Sequence, residues 1–258
     1  EASYAPKQLD GPWDIGVRGS LTALEQASAV FCLNPVDRPC LAKQFPDLAI
    51  HQLPPFLDLR EDRHTTMDRQ GLARRWKLDP ERPWLITVAM MRPGDKSRSY
   101  QLLAEALHQV KNRHWQLLIA GDGSNRQTVE RYFSALPGVH FLGKLTPEEL
   151  HPLLTASDLY LWPAVNEAFG LALLEAQAAG TPVLAGDEGG VASIVNQDQS
   201  GILTPRRDSN AFADALDSLL TDPSKLQQMG LAATDYIQRR HSLETAAQIL
   251  KQTLVPLL

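Results

Sequence analysis

The chain has 258 residues, enough for one large domain or two, with ample material for a core. Its apolar content of 43%, charged content of 21% and net charge of −5 are ordinary for a globular protein, and they exclude a general affinity for nucleic acid or anionic lipid. Two cysteines, Cys32 and Cys40, make no disulfide framework, no apolar run reaches the length of a membrane span, and the start is not patterned as a signal peptide. A cytoplasmic protein is expected, at most peripheral to a membrane.

Residues 1–19 carry Pro and Gly without periodicity and are read as irregular. Ser20–Ser28 has helical spacing, with Ser20 as N-cap and Leu21, Leu24 and Ala27 on one side. Ala29–Leu33 is a short apolar strand stopped by Asn34-Pro35, Asp37–Phe45 a helix, and Leu48–Leu53 another strand. Two strands cannot cover a parallel sheet by themselves, and Pro54-Pro55 marks a boundary, so one unit is placed at 1–57 and a second at 58–258.

After a polar stretch, Met67–Lys77 reads as an amphipathic helix. A longer rhythm then begins: strand Trp84–Met90, helix Tyr100–Asn112, strand Trp115–Ala120, helix Arg126–Leu136 and strand Val139–Leu142. Thr146-Pro-Glu-Glu opens a helix running to Thr155, with a cap, a proline and an acidic first turn. Leu159–Trp162, Pro182–Ala185 and Gly201–Leu203 read as strands, with helices at Phe169–Gly180, Asn210–Leu220, Leu226–Arg239 and Leu243–Leu254 and a short one from Gly189-Gly190. Strands alternating with helices predict an α/β fold with a doubly wound parallel sheet.

In such sheets ligands bind at the carboxyl ends of strands. The most informative of these ends is Ala164–Gly180, a loop that turns into an apolar helix around Phe169–Leu171. Two carboxylates interrupt it, Glu167 before the helix and Glu175 one turn inside. The N–H groups of Phe169, Gly170 and Leu171 have no intrahelical acceptors and carry the positive end of the dipole. Free donors between two acceptors suit a ligand with an anionic group and several hydroxyls, such as a nucleotide sugar. Each feature has a plain alternative: a glutamate near a helix start complements the dipole, and Gly170 permits a tight turn.

Three further strand ends stand out. Arg92 and Lys96, across a Pro-Gly turn, converge on one anion, or are ordinary charges on an exposed turn. Gly121-Asp122-Gly123 begins like a dinucleotide fingerprint, but Arg126 replaces the third glycine, so it reads as a tight turn that lets a ligand approach. Leu142, Gly143 and Lys144 end a strand where a planar base can lie against backbone. No Asp-X-Asp occurs and the seven histidines are scattered, so no metal or other cofactor is expected; His140 and His151 read as structural or exposed.

Taken together, these residues resemble the retaining nucleotide-sugar glycosyltransferases of family 4, which have the GT-B fold of two facing Rossmann-like domains. The match lies in Glu167-Ala-Phe-Gly-Leu-Ala-Leu-Leu-Glu175, the family's Glu-X7-Glu element, followed by Ala179-Gly-Thr-Pro-Val183 and Gly189-Gly-Val191. The order of Arg92/Lys96, Ala120-Gly-Asp-Gly, Phe141-Leu-Gly and Glu-X7-Glu also fits, over about residues 83–205. The resemblance implies that 58–258 is the donor-binding domain and 1–57 the end of the acceptor-side domain, with Leu53–Asp58 as linker. Most of that acceptor-side domain is missing, so the chain alone is expected to be inactive and prone to self-association.

It further implies a UDP- or GDP-sugar as donor, and a glycan, lipid or small-molecule acceptor on the absent domain. Arg92, Lys96 and the N–H groups of Phe169–Leu171 would hold the diphosphate, Glu175 the ribose, and Leu142–Lys144 the base. Glu167 would bind sugar hydroxyls near the reacting carbon. Met91 and Ser97 stand where the family often has glycine, and Ala168 likewise. A binding module without catalysis, and a GT-B epimerase or hydrolase, are the competing readings.

Overall fold

The computed structural model describes residues 14–59 and 68–257. The polar stretch and Met67 of the sequence reading therefore lie largely outside the described residues. The first unit contains helix α1 (Asp14–Gln26), strand β1 (Val30–Cys32), helix α2 (Arg38–Gln44) and strand β2 (Ile50–Gln52). β1 and β2 pair in parallel with Val30 opposite Ile50. α1 begins at Asp14, six residues before the expected Ser20, which corrects the irregular assignment up to residue 19.

The second unit follows as α3 (Arg69–Trp76), β3 (Trp84–Val88), α4 (Asp95–Gln109), β4 (Gln116–Ala120), α5 (Arg126–Phe133), β5 (Val139–Gly143), α6 (Pro147–Ala156) and β6 (Leu159–Trp162). It continues with α7 (Leu171–Ala178), β7 (Val183–Gly186), a 3₁₀ turn at Val191–Ser193, β8 (Gly201–Thr204), α8 (Ser209–Leu220), α9 (Pro223–Arg240) and α10 (Leu243–Leu254). All six strands are parallel in the order β5-β4-β3-β6-β7-β8. The expected doubly wound sheet is present. α4, α5 and α8 cover one face, and α3, α6 and α7 the other, with α9 against α7.

This layering explains the sequence pattern. β4, β6 and β7 are buried along their whole length and β3 up to Val88, so they read as unbroken apolar runs rather than alternating ones. β5, at the sheet edge, is only half-buried. The core joins Trp84, Trp115, Trp162, Tyr100 and Phe133 to the aliphatic residues of the strands.

Strand order reverses between β3 and β6, where ligands of doubly wound sheets bind. Their pairing covers only Leu85–Leu159 and Ile86–Tyr160, so the strands part beyond it. Val88 then finds its partner in a side chain: the Tyr160 hydroxyl donates to Val88 O at 3.0 Å and accepts from Val88 N at 3.3 Å. The phenol is buried and raised in pKa, chiefly by desolvation, which keeps it the neutral donor that this join needs. The segment Leu53–Asp58 is fastened to the corner between α9 and α10. Leu57 N donates to His241 O at 2.8 Å, and Leu243 N to Leu57 O at 2.9 Å.

Candidate functional site

The loops after β3 and β6 face each other across the switch point. Gly94, at φ 88°, caps α4, which starts at Asp95 and not at Tyr100 as expected. Lys96 thus sits in the first turn of a helix rather than in a flexible turn. The helix start hides in the sequence because the residues it buries there, Ser97 and Ser99, are polar. Both serines tie α4 to neighbouring loops: Asn125 Nδ2, on the loop after β4, donates to Ser97 Oγ at 2.7 Å, and Val165 N, across the crevice on the loop after β6, donates to Ser99 Oγ at 3.0 Å.

The loop after β6 is held in an unusual backbone course, with Ala164 at φ 59° and Asn166 at φ 50°. Asn166 Nδ2 donates to Asp95 Oδ2 at 3.0 Å, tying the loop to α4. Glu167 points into the same space. Its Oε2 accepts from Lys96 Nζ at 2.5 Å and from Trp162 Nε1 at 3.0 Å, and Lys96 Nζ lies 5.2 Å from the centre of the Trp162 ring. Lys96 and Glu167 therefore meet each other directly. Arg92 is exposed on the loop after β3, and no contact brings it onto Lys96 among the described residues.

Gly170, at φ 74°, is the left-handed N-cap of α7; a Cβ there would lie 2.7 Å from Leu173 Cδ1. The first backbone bonds of the helix run from Leu173 and Leu174 N–H to Gly170 O. The N–H groups of Phe169, Gly170 and Leu171 precede that ladder. Leu171 is 53% exposed at the start of α7, whose apolar letters otherwise pack inward; the helix buries Leu173, Leu174, Ala176 and Gln177. Glu175, half-buried on α7, and Glu167 both raise the Tyr160 pKa by their charges, so both carboxylates lie near the strand join.

Behind the loop, Gly189 and Gly190 press on its backbone. A Cβ at Gly189 would lie 1.9 Å from Glu167 O, and one at Gly190 2.1 Å from Ala168 O. From the first unit, Asn34 Nδ2 donates to Ala168 O at 3.3 Å while its Oδ1 accepts from Val36 N at 3.1 Å. Asn34 is 8% exposed and is a site-loop contact that the sequence reading missed, as it missed Trp162.

The glycines of the turn Gly121-Asp122-Gly123 are pressed against another loop of the chain. A Cβ at Gly121 would meet Ala89 O at 2.0 Å, and one at Gly123 would meet Met91 O at 2.3 Å. These glycines admit the neighbouring chain after β3, whose Met91 N donates to Asp122 O at 2.9 Å. Leu142 and Gly143 are half-buried and Lys144 exposed, at the end of β5. Gly143, at φ 75°, gives its carbonyl to Gly121 N at 2.7 Å, and Arg126 Nη1 lies 3.8 Å from where its Cβ would be. Met91 is wholly buried and fills core. Among the described residues no group of three or more His, Cys, Asp or Glu is placed to hold a metal.

Residues 72–236 match the family model of the group 1 glycosyl transferases. The chain belongs to this family. It is 32% identical over 211 residues to a D-inositol 3-phosphate glycosyltransferase of Nocardia farcinica, a stretch covering 78% of this chain and 46% of that protein. The counterpart in Corynebacterium diphtheriae is 38% identical over 141 residues, or 52% of this chain and 33% of the relative. The chain thus spans less than half the length of these relatives.

Among solved structures, sucrose-phosphate synthase from Thermosynechococcus elongatus superposes with a TM-score of 0.78 at 22% identity, over 98% of this chain and 64% of that one. Anabaena HepE in complex with UDP-glucose gives 0.77 at 20% identity, over 93% and 67%. These likenesses establish the fold, a Rossmann-like unit of the GT-B type.

Proposed function

We propose that this chain is the donor-binding part of a retaining glycosyltransferase that moves a sugar from a UDP- or GDP-sugar to a glycan, lipid or small-molecule acceptor. The observation that carries the reading is the meeting of Lys96 and Glu167 at the switch point, beside the N-terminus of α7. An ammonium group, a carboxylate and oriented backbone N–H groups supply a cation for phosphate, an acceptor for sugar hydroxyls and a dipole for the leaving charge. Arg92 adds a planar cation at the crevice mouth, Glu175 accepts from the ribose, and the base lies along Leu142–Lys144. Charge developing on the departing diphosphate is met by Arg92, Lys96 and the α7 N–H groups, with no metal in this scheme. Retention of configuration follows the family pattern of Glu-X7-Glu.

Residues 1–57, with β1 and β2, belong in this reading to the end of the acceptor-side domain, and Leu53–Asp58 joins it to the donor domain. HepE's complex with UDP-glucose favours a uridine donor. The test is thermal: UDP, GDP and their sugars are titrated against the chain while unfolding is followed. A cognate nucleotide raises the midpoint, and Lys96→Ala or Glu175→Ala removes most of the rise. No shift with any nucleoside diphosphate or nucleotide sugar refutes the assignment. Retention is read from the anomeric configuration of the product made by the full-length protein.

A further inference from the structure

Within the chain, Lys96 already has an anionic partner. Its side chain is 20% exposed and that of Glu167 13%, so the pair is screened by water far less than a surface ion pair. Two donors, Lys96 Nζ and Trp162 Nε1, share the single oxygen Oε2. The Glu167 loop is held against α4 by Asn166 and Val165, and against Gly189-Gly190 behind, so the carboxylate stays within reach of the lysine.

We propose that Glu167 makes the site prefer a nucleotide sugar to the bare nucleoside diphosphate, because carboxylate and phosphate compete for Lys96. The inference rests on the donor-site reading above. A nucleoside diphosphate that draws Lys96 to its phosphate oxygens takes the lysine away from Glu167. The carboxylate then keeps the Trp162 N–H but loses its counter-charge in a largely enclosed place, where an uncompensated charge is costly. A nucleotide sugar brings the same diphosphate together with hydroxyls that donate to Glu167 in the lysine's place. Lys96 passes from carboxylate to phosphate as Glu167 passes from ammonium to sugar hydroxyl, and neither group is stranded. Once the sugar has been transferred, Glu167 reclaims Lys96 and weakens the hold on the nucleoside diphosphate left behind.

The experiment is calorimetric titration of UDP, GDP, UDP-glucose and GDP-mannose into the wild-type chain, Glu167→Gln and Glu167→Asp, with a melting curve for each variant to establish folding. Glu167→Gln removes the counter-charge, and Glu167→Asp keeps the charge but withdraws it from Lys96. Both variants are expected to bind the nucleoside diphosphate about tenfold tighter than wild type, and to lose the preference for its sugar form. Unchanged or weaker nucleoside diphosphate binding by both variants overturns the proposal and leaves the donor site standing. Tightening by Gln alone also overturns it, because simple repulsion between Glu167 and phosphate then suffices. If the wild-type chain binds none of the four compounds, the donor-site reading fails and the inference falls with it.

Discussion

Gly189 and Gly190 offer a graded test of how the Glu167 loop is seated. Gly189 has φ 60° and faces Glu167 O at 1.9 Å from a built Cβ. Gly190 has an unstrained φ of −86° but faces Ala168 O at 2.1 Å and Asn34 Cγ at 3.4 Å. Gly180, beyond the end of α7, has φ 87° and only Thr234 Oγ1 at 3.6 Å, an ordinary contact. Left-handed backbone costs an Ala about 1–2 kcal/mol, and an atom forced into packed space about 1–3 kcal/mol. Gly180→Ala therefore reports strain alone, Gly190→Ala contact alone, and Gly189→Ala both, for an expected total of about 2–5 kcal/mol. The entropy that Ala removes from the unfolded chain offsets about 0.4–1 kcal/mol alike in all three. Urea unfolding measures the stabilities, and titration with a nucleotide sugar measures the site. Gly189→Ala and Gly190→Ala should lose donor affinity because the displaced backbone carries Glu167, whereas Gly180→Ala should keep it. If Gly189→Ala costs no more than Gly180→Ala, or destabilises the fold while binding donor normally, the seating argument is wrong.

Other substitutions probe other parts. Trp162→Phe keeps a ring against Tyr100, whose centroid is 5.3 Å away, but removes the donor to Glu167; nucleotide-sugar affinity should fall by about 0.5–1.5 kcal/mol, measured by calorimetry. Arg69 donates to Pro80 O, Ala156 O, Arg82 O and the Asp158 carboxylate, at the amino ends of β3 and β6. Arg69→Ala should cost about 2–3 kcal/mol in urea unfolding and leave nucleotide affinity unchanged, being at the opposite end of the sheet. His241, buried with Nδ1 2.7 Å from Pro55 O, has its pKa lowered by desolvation, partly opposed by that carbonyl. A depressed folded-state pKa means that the unfolded chain takes up the proton first. Stability is then full above the usual value of 6.5 and is lost as pH falls toward the folded-state value. His241→Gln should flatten this fall in melts from about pH 8 to about pH 5, leaving the contribution of His140, whose pKa burial also lowers.

The strands were the most legible part of the fold, and burial explains why. β6 was expected at Leu159–Trp162 and lies there, because a strand enclosed on both faces is an apolar run with abrupt ends. α10 was also placed to the residue, with Ser242 as its cap accepting from Thr245 N. Helix starts were less legible where polar residues do the packing. α4 buries Ser97 and Ser99 in its first turns, so its apolar period becomes visible only from Tyr100. α1 buries little of its surface, and nothing in its letters before Ser20 sets a face. Strand order, and with it the switch point, lies in long-range pairing that no local pattern records.

The site was legible as a set of residues and not as a set of contacts. Glu167, Lys96 and the α7 N-terminus were all expected at the carboxyl ends of strands, yet the bond between Glu167 and Lys96 spans 71 positions and has no sequence signature. The same holds for Asn34, which reaches Ala168 across 134 positions. The glycines of the Gly121-Asp122-Gly123 turn announce close approach, and the neighbour they admit is the chain after β3, which letters alone do not name. Placing Lys96 on a helix changes what that lysine can do. Its Cα is fixed by α4, whose first turn is held to Asn125 through Ser97 and to the Glu167 loop through Ser99 and Asp95. Only its side-chain torsions remain free, and four methylenes let an ammonium turn between acceptors without moving the backbone. A lysine so anchored can serve Glu167 and a phosphate in turn, whereas one on a loose turn would follow the phosphate and release the carboxylate's grip on selectivity.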